Sequence, residues 1–364
     1  SRSMRRAGTR ATPRGSAREL DGLLKDIVAR GGSDLHLLEG LVAKVRVHGS
    51  LEPVTDEPPE VRPWIEALLD ERHGRIFRER GETDLAHDVE GAGRFRVNVF
   101  RHHGGVGAVF RLIPREIPDL AELNLPPAVE RFASLHRGLV LVTGPTGSGK
   151  SSTLAALLDL VNRSEARHIV TIEDPIEFLH ADGLSTFTQR EVGRDSASFA
   201  AALRSAARQD PDLVLVGEMR DRETIHLALS LAEMGMMVFS TLHTNSAGRT
   251  IDRIVEVFPE EQQAAARSML AESLRGVLSQ LLCRRVDVPG RVPATELLFT
   301  STALKSVIRD GAAHKIDSMM QAGRSEGMHT MDDSLWRLVS EGSISGDEAY
   351  RKAGDKGRFQ RFVD

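Results

Sequence analysis

From Ala17 to Ala29 the apolar positions Leu20, Leu23, Leu24, Ile27 and Val28 recur at helical spacing, the stripe of a helix that faces a core. Gly31-Gly32 ends that pattern. Ser33 to Leu37 and Ala43 to His48 alternate apolar with polar residues, as half-buried strands do, with a turn at Gly49 and a Pro- and acid-rich connector from Val54 to Pro63. Pro63 to Arg78 reads as helix. Thr83 to Val89, Gly93 to Phe100 and Val106 to Ile113 read as strands, the first two joined by a turn at Glu90 to Gly93. These elements predict an α+β module over residues 19–113. The prolines between Pro114 and Pro127 then mark a linker at 114–127.

Beyond the linker the pattern changes. Gly138 to Thr143, His168 to Thr171, Asp212 to Val216 and Met236 to Ser240 are continuous apolar runs, the signature of strands buried on both faces, with helical patterns between them. This alternation predicts a mostly parallel sheet with helices on both faces in a domain spanning 128–364. From Pro259 onward the chain reads as mainly helical, with one strand near Arg291 to Leu298 and helices starting after Phe299, Ala312, Thr330 and Ser345.

The chemistry sits where the first buried strand meets the following helix. Gly144, Gly149, Lys150 and Ser151 match the phosphate-binding pattern G-x-x-x-x-G-K-[ST], with Pro145, Thr146, Gly147 and Ser148 filling the loop and Ser152 following it. Such a loop turns its backbone N–H groups around an anion at a helix N-terminus. Lys150 then reaches the β- and γ-phosphates, and the Ser151 hydroxyl can ligate Mg²⁺. Phosphoryl transfer also needs a metal-shell acid and a group that activates water. Glu218 ends the strand run Asp212 to Val216 and supplies the first. Glu173, Asp174 and Glu177 follow another apolar run, so any of the three can act as general base or merely cap a helix. His243, after the next strand, can meet the γ-phosphate or serve a core hydrogen bond.

Composition narrows the reading. At 364 residues, 40% hydrophobic and 27% charged, the chain is an ordinary globular protein of two or three units. Arg2, Arg5, Arg6, Arg10, Arg14 and Arg18 precede the first acidic residue. Removing their six charges from a net charge of −4 leaves about −10 on the residues from Glu19 onward, so nucleic acid is not an expected partner. Residues 1–18 are expected to form a disordered basic arm, with Ser1-Arg-Ser3 before Met4 resembling a cloning remnant. Cys283 is the single cysteine, which excludes an intrachain disulfide and a cysteine-cluster zinc site. No run approaches 18 apolar residues and no export leader is recognisable, so a cytoplasmic protein is expected.

The phosphate loop, Thr171 to Phe178, Gln189 to Gly193, Asp210 to Asp212 with Val216 to Asp221, and Thr241 to Thr244 together resemble the type II/IV secretion ATPase superfamily, and within it the type IV pilus retraction motors. Gly32 to Leu37, Arg94 to Asn98 and Ala108 to Leu112 extend the likeness into the first module. The resemblance implies a PAS-like α+β domain followed by a RecA-like ATPase domain with C-terminal helices, and a homo-hexameric ring with ATP and Mg²⁺ between the domains. It further implies an inner-membrane pilus platform as partner, a possible paralogous motor, and a peripheral place at the inner membrane. By alignment Glu177 becomes the catalytic glutamate, Glu218 the acidic partner of the phosphate loop, and His243 the second histidine of the histidine box. Arg96 and Arg111 fall where relatives place arginines against the phosphates. Met236 stands where the histidine box begins with His, and Ala303 to Asp310 matches the retraction motors' C-terminal box only loosely. The function implied is ATP-driven pilus retraction; the alternatives are an accessory paralogue with weak turnover and an extension or type II secretion ATPase.

Overall fold

The computed structural model describes residues 13–47, 50–113 and 116–363, and the chain divides into two compact units. The first comprises the chain up to Glu116 together with Pro175–Phe178; the second comprises Ile117–Asp174 and the chain from Leu179 onward. Of the disordered arm expected over residues 1–18, residues 1–12 lie outside the described residues, as does the expected turn at Gly49, while 13–18 are helical, forming the start of the first helix.

The first unit opens with α1 (Pro13–Ala29), which starts ahead of the Ala17 expected from the apolar stripe. Six strands follow in an antiparallel sheet: β1 (Asp34–Leu38), β2 (Lys44–Val47), β3 (Ser50–Pro53), β4 (Glu82–Val89), β5 (Gly93–His102) and β6 (Gly105–Ile113), in the order β3-β2-β1-β6-β5-β4. Strand β3 was not anticipated because all four of its residues are exposed, so this edge strand carries no alternating pattern. The single helix expected from Pro63 to Arg78 is two, α2 (Val61–Leu68) and α3 (Glu71–Arg80). The break has a local cause. Leu69 is extended, and the Asp70 side chain accepts from His73 N at 2.7 Å, capping a new helix rather than continuing the old one. One face of the sheet is apolar: Leu35, Leu37, Phe95, Val97 and Phe110 share a core with Leu24 of α1 and Ile65 of α2.

In the second unit seven strands form one sheet: β7 (Gly138–Thr143), β8 (His168–Glu173), β9 (Thr186–Glu191), β10 (Leu213–Val216), β11 (Met237–Leu242), β12 (Leu274–Arg284) and β13 (Arg291–Phe299). Their order is β13-β12-β7-β11-β10-β8-β9, every neighbouring pair parallel except β12 with β13. The helices are α4 (Lys150–Ser164), α5 (Phe199–Ala206), α6 (Arg222–Glu233), α7 (Ala247–Glu256), α8 (Glu260–Ser273), α9 (Thr302–Arg309), α10 (Ile316–Ala322), α11 (Met331–Ser340), α12 (Gly346–Lys352) and α13 (Lys356–Phe359). An α/β fold with a mostly parallel sheet is therefore observed.

The expectation of a mainly helical chain after Pro259 is corrected at β12. This run lies buried between β7 and β13, and a strand covered on both faces lacks the alternation that separates it from a buried helix. Its Gly276 lets the backbone approach: a Cβ there would lie 2.4 Å from the Phe132 ring. Strand β9 also went unanticipated, a half-buried edge strand with a mixed sequence.

Candidate functional site

The strand β7 ends at Thr143 and the chain turns at once into the phosphate loop. Gly144 has φ +146°, and a Cβ there would sit 2.3 Å from the Gln280 carbonyl, so no other residue fits this turn. Gly149, at φ +92°, caps α4 in the left-handed region. Ser151 is exposed in the first turn of α4 and Ser152 half-buried beside it, while Ser148 is buried. The loop is pinned from β12, where Gln280 Nε2 donates to Ser148 O at 2.7 Å and Gln280 Oε1 accepts from Thr153 Oγ1 at 3.0 Å. Sequence reasoning missed Gln280 because it had assigned β12 to helix; only the long-range pairing with β7 reveals it.

Parallel pairing brings three strand ends to the same edge. Lys150 Nζ donates to Gly144 O at 2.8 Å and to Pro145 O at 3.1 Å, and lies 3.5 Å from His243 Nδ1. His243 Nε2 is 2.9 Å from Glu218 Oε1, and the same oxygen is 2.7 Å from Arg220 Nε. Burial pushes the Glu218 carboxyl up, but the hydrogen bond and charge of Arg220, with those of His243, outweigh it and leave the group below its ordinary value. Glu218 is thus an anion at neutral pH. Arg220, which sequence reasoning also passed over, is the larger of its two partners. The structure joins Lys150, His243 and Glu218, which the motifs named separately.

Glu173 and Glu177 part company. Glu173 ends β8 and accepts from Thr171 Oγ1 at 2.7 Å, whereas Glu177 belongs to the segment grouped with the first unit. There Arg94 Nε donates to Ile176 O at 3.0 Å and Arg96 Nη1 to Glu177 Oε1 at 2.8 Å. Arg111 pairs across the sheet with Arg96 in register and donates from Nε to Asp34 Oδ1 at 2.8 Å. Met236, at the position where the histidine box begins, packs against the core just before β11 begins, while His243 follows its end. Some 20 Å of strand at about 3.3 Å per residue separates the two, so within this unit Met236 does not belong to the cluster around Lys150.

The donor set suits Mg²⁺: an exposed serine hydroxyl and an ionised carboxylate are hard oxygen ligands, and Mg²⁺ takes one or two of these plus phosphates and waters. Among the described residues no group of three His, Cys, Asp or Glu side chains could hold a metal by itself.

Residues 16–360 match the family model of type II/IV secretion system proteins. The chain belongs to this family. As a member it is an ATPase. It is 47% identical over 338 residues to the type IV pilus retraction ATPase PilT of Pseudomonas aeruginosa, spanning 92% of this chain and 98% of that protein. The type IV pilus ATPase PilU of the same organism is 37% identical, over 92% of this chain and 88% of its own length. The crystal structure of the pilus retraction motor PilT with bound ADP superposes with a TM-score of 0.85 at 41% identity, covering 94% of this chain and 99% of that one. Among the described residues of this secretion-family ATPase, no helix is long and apolar enough to cross a membrane.

Proposed function

We propose that this chain is a motor for type IV pilus retraction, turning ATP hydrolysis into force on a pilus platform in the inner membrane. The observation that carries the reading is the contact line Lys150–His243–Glu218 behind a phosphate loop, in a chain close to PilT along nearly its whole length. In this reading the first unit is PAS-like, the second RecA-like, and six copies form a cytoplasmic ring that meets the membrane only through partners. A paralogous motor can share the work, and nucleic acid has no part in it.

Gly144 through Ser152, with Lys150 at the β- and γ-phosphates, would hold ATP. Ser151 and Glu218 would hold Mg²⁺, whose charge offsets that of the phosphates. Glu177 is the base that takes the proton of the attacking water, and His243 reports the γ-phosphate to Glu218. Arg96 and Arg111 would stabilise charge on the transferred phosphoryl group, as preorganised donors do in phosphoryl transfer. Deleting the gene and imaging pili tests the direction of work. Hyperpiliated cells that fail to retract are expected; bald cells would instead mark an extension ATPase. A second reading, an accessory subunit of a principal motor, is favoured by the likeness to PilU and predicts unchanged piliation when this gene alone is removed.

A further inference from the structure

The stretch Ser33-Asp34-Leu35-His36 lies within the span that matches the family, yet the proposed mechanism leaves it without a task. Register supplies one. Asp34 of β1 lies opposite Arg46 of β2 on one side and Arg111 of β6 on the other, and Arg111 lies opposite Arg96 of β5. Residues directly opposite in an antiparallel sheet share a face. One row across the polar face of the sheet therefore reads Arg46, Asp34, Arg111, Arg96, three cations with a single carboxylate among them.

That carboxylate is placed with unusual economy of motion. Asp34 is 7% exposed. Its Oδ2 accepts from Ser33 Oγ at 2.6 Å, which leaves Oδ1 to accept from Arg111 Nε at 2.8 Å. The Arg111 side chain is 71% exposed, and its two terminal nitrogens make no hydrogen bond among the described residues. An arginine gripped at Nε by a fixed acid has its planar fork aimed, with both terminal nitrogens left for a bidentate anion.

We propose that Asp34 is a positioning residue for the ATPase reaction: it holds Arg111 by Nε so that the terminal nitrogens meet the oxygens of the terminal phosphate. The proposal rests on the reading that Arg111 contacts nucleotide. Because Asp34 acts through geometry, it opposes its own charge. A carboxylate beside a phosphate repels it, so if charge alone mattered, neutralising Asp34 would tighten triphosphate binding.

The test measures binding of a fluorescent non-hydrolysable ATP analogue and of the matching ADP analogue to the full chain, with turnover alongside. Arg111→Gln should weaken the triphosphate about tenfold more than the diphosphate; if it weakens neither, the reading of Arg111 falls and the proposal with it. With Arg111→Gln behaving so, Asp34→Asn should weaken the triphosphate about five- to tenfold, leave the diphosphate within about twofold, and add nothing in the Arg111→Gln background. Tighter or unchanged triphosphate binding, or an additive double variant, overturns the role of Asp34 while sparing that of Arg111. Should Asp34→Asn not fold, Ser33→Ala removes the Oδ2 bond together with the longer contact of Ser33 Oγ to Arg46 O at 3.3 Å; a loss of about two- to threefold that vanishes in Arg111→Gln supports the proposal, and no loss, or one that persists there, overturns it.

Discussion

The two units hold their cations through different contacts. In the second unit Lys150 rests on two backbone carbonyls of its own loop, Gly144 and Pro145, and lies against the ring of His243. In the first, Arg111 and Arg96 are each tied to a carboxylate, Asp34 and Glu177. Moving Lys150 Nζ from those two carbonyls to a phosphate exchanges neutral oxygens for more negative ones. A cation leaving a carboxylate must give up an ion pair, and the carboxylate is set free. Lys150 is thus poised to bind, while Arg96 is poised to switch.

The largest effect expected from this contrast is at Lys150. Lys150→Ala should lower phosphate release in steady state by about 10³-fold or more, since no other side chain in the loop carries charge. A variant that keeps a tenth of the turnover would mean that the loop is not the phosphate site. Next comes Glu177→Gln, which keeps the hydrogen-bond acceptor for Arg96 but loses the proton acceptor. We expect kcat to fall about 10²–10³-fold with KM within about threefold. A KM effect with kcat intact would make Glu177 a tether for Arg96 rather than a base. Arg96→Gln is expected to cost less, about tenfold in kcat/KM, because freeing Glu177 partly offsets the lost charge. Equal losses for Arg96→Gln and Lys150→Ala would erase the distinction between binding and switching cations.

The same contrast explains what could be read from the chain without its fold. The second unit's site is built from strand-end motifs, each local, so Lys150, Glu218 and His243 stood out by residue type and neighbours. Their mutual contacts needed only parallel pairing of β7, β10 and β11. Gln280 could not be found, because its strand is buried on both faces and imitates a helix, and its target Ser148 lies far away in sequence. Arg220 was hidden differently: it follows Glu218 by two residues, and nothing local says that it turns back. In the first unit the arginines were named through family likeness, but the reason they share a face lies in cross-strand register, which one sequence does not encode. Edge strand β3 and the α2–α3 break escaped for the complementary reason, that exposed residues and a single cap outweighed a smooth pattern.

The smallest effect sharpens the comparison through two buried carboxylates, one in each unit. Burial pushes Asp34 up, yet its hydrogen bonds to Ser33 and Arg111 and the charge of Arg111 bring it below its ordinary value. Glu296 of β13, 4% exposed, accepts from Ala247 N at 2.6 Å and from Met331 N at 3.3 Å, tying the starts of α7 and α11 to one strand. With no ion pair to it among the described residues, burial dominates over those two backbone bonds, and its carboxyl is pushed up from 4.5 to about 7. The signs follow from linkage. Glu296 binds its proton more tightly folded than unfolded, so its contribution is full below pH 4.5 and is lost as pH rises to about 7. Asp34 does the reverse, contributing above its unfolded value and losing that contribution as pH falls through the lower folded one. Melting temperatures of the full chain between about pH 2 and pH 8 should therefore fall less across the upper window in Glu296→Gln than in the parent, while Asp34→Asn flattens only the acid limb, below the unfolded Asp34 value. Parallel curves for Glu296→Gln and the parent would mean that the buried glutamate is ionised throughout, stabilised by the two helix N-termini it joins.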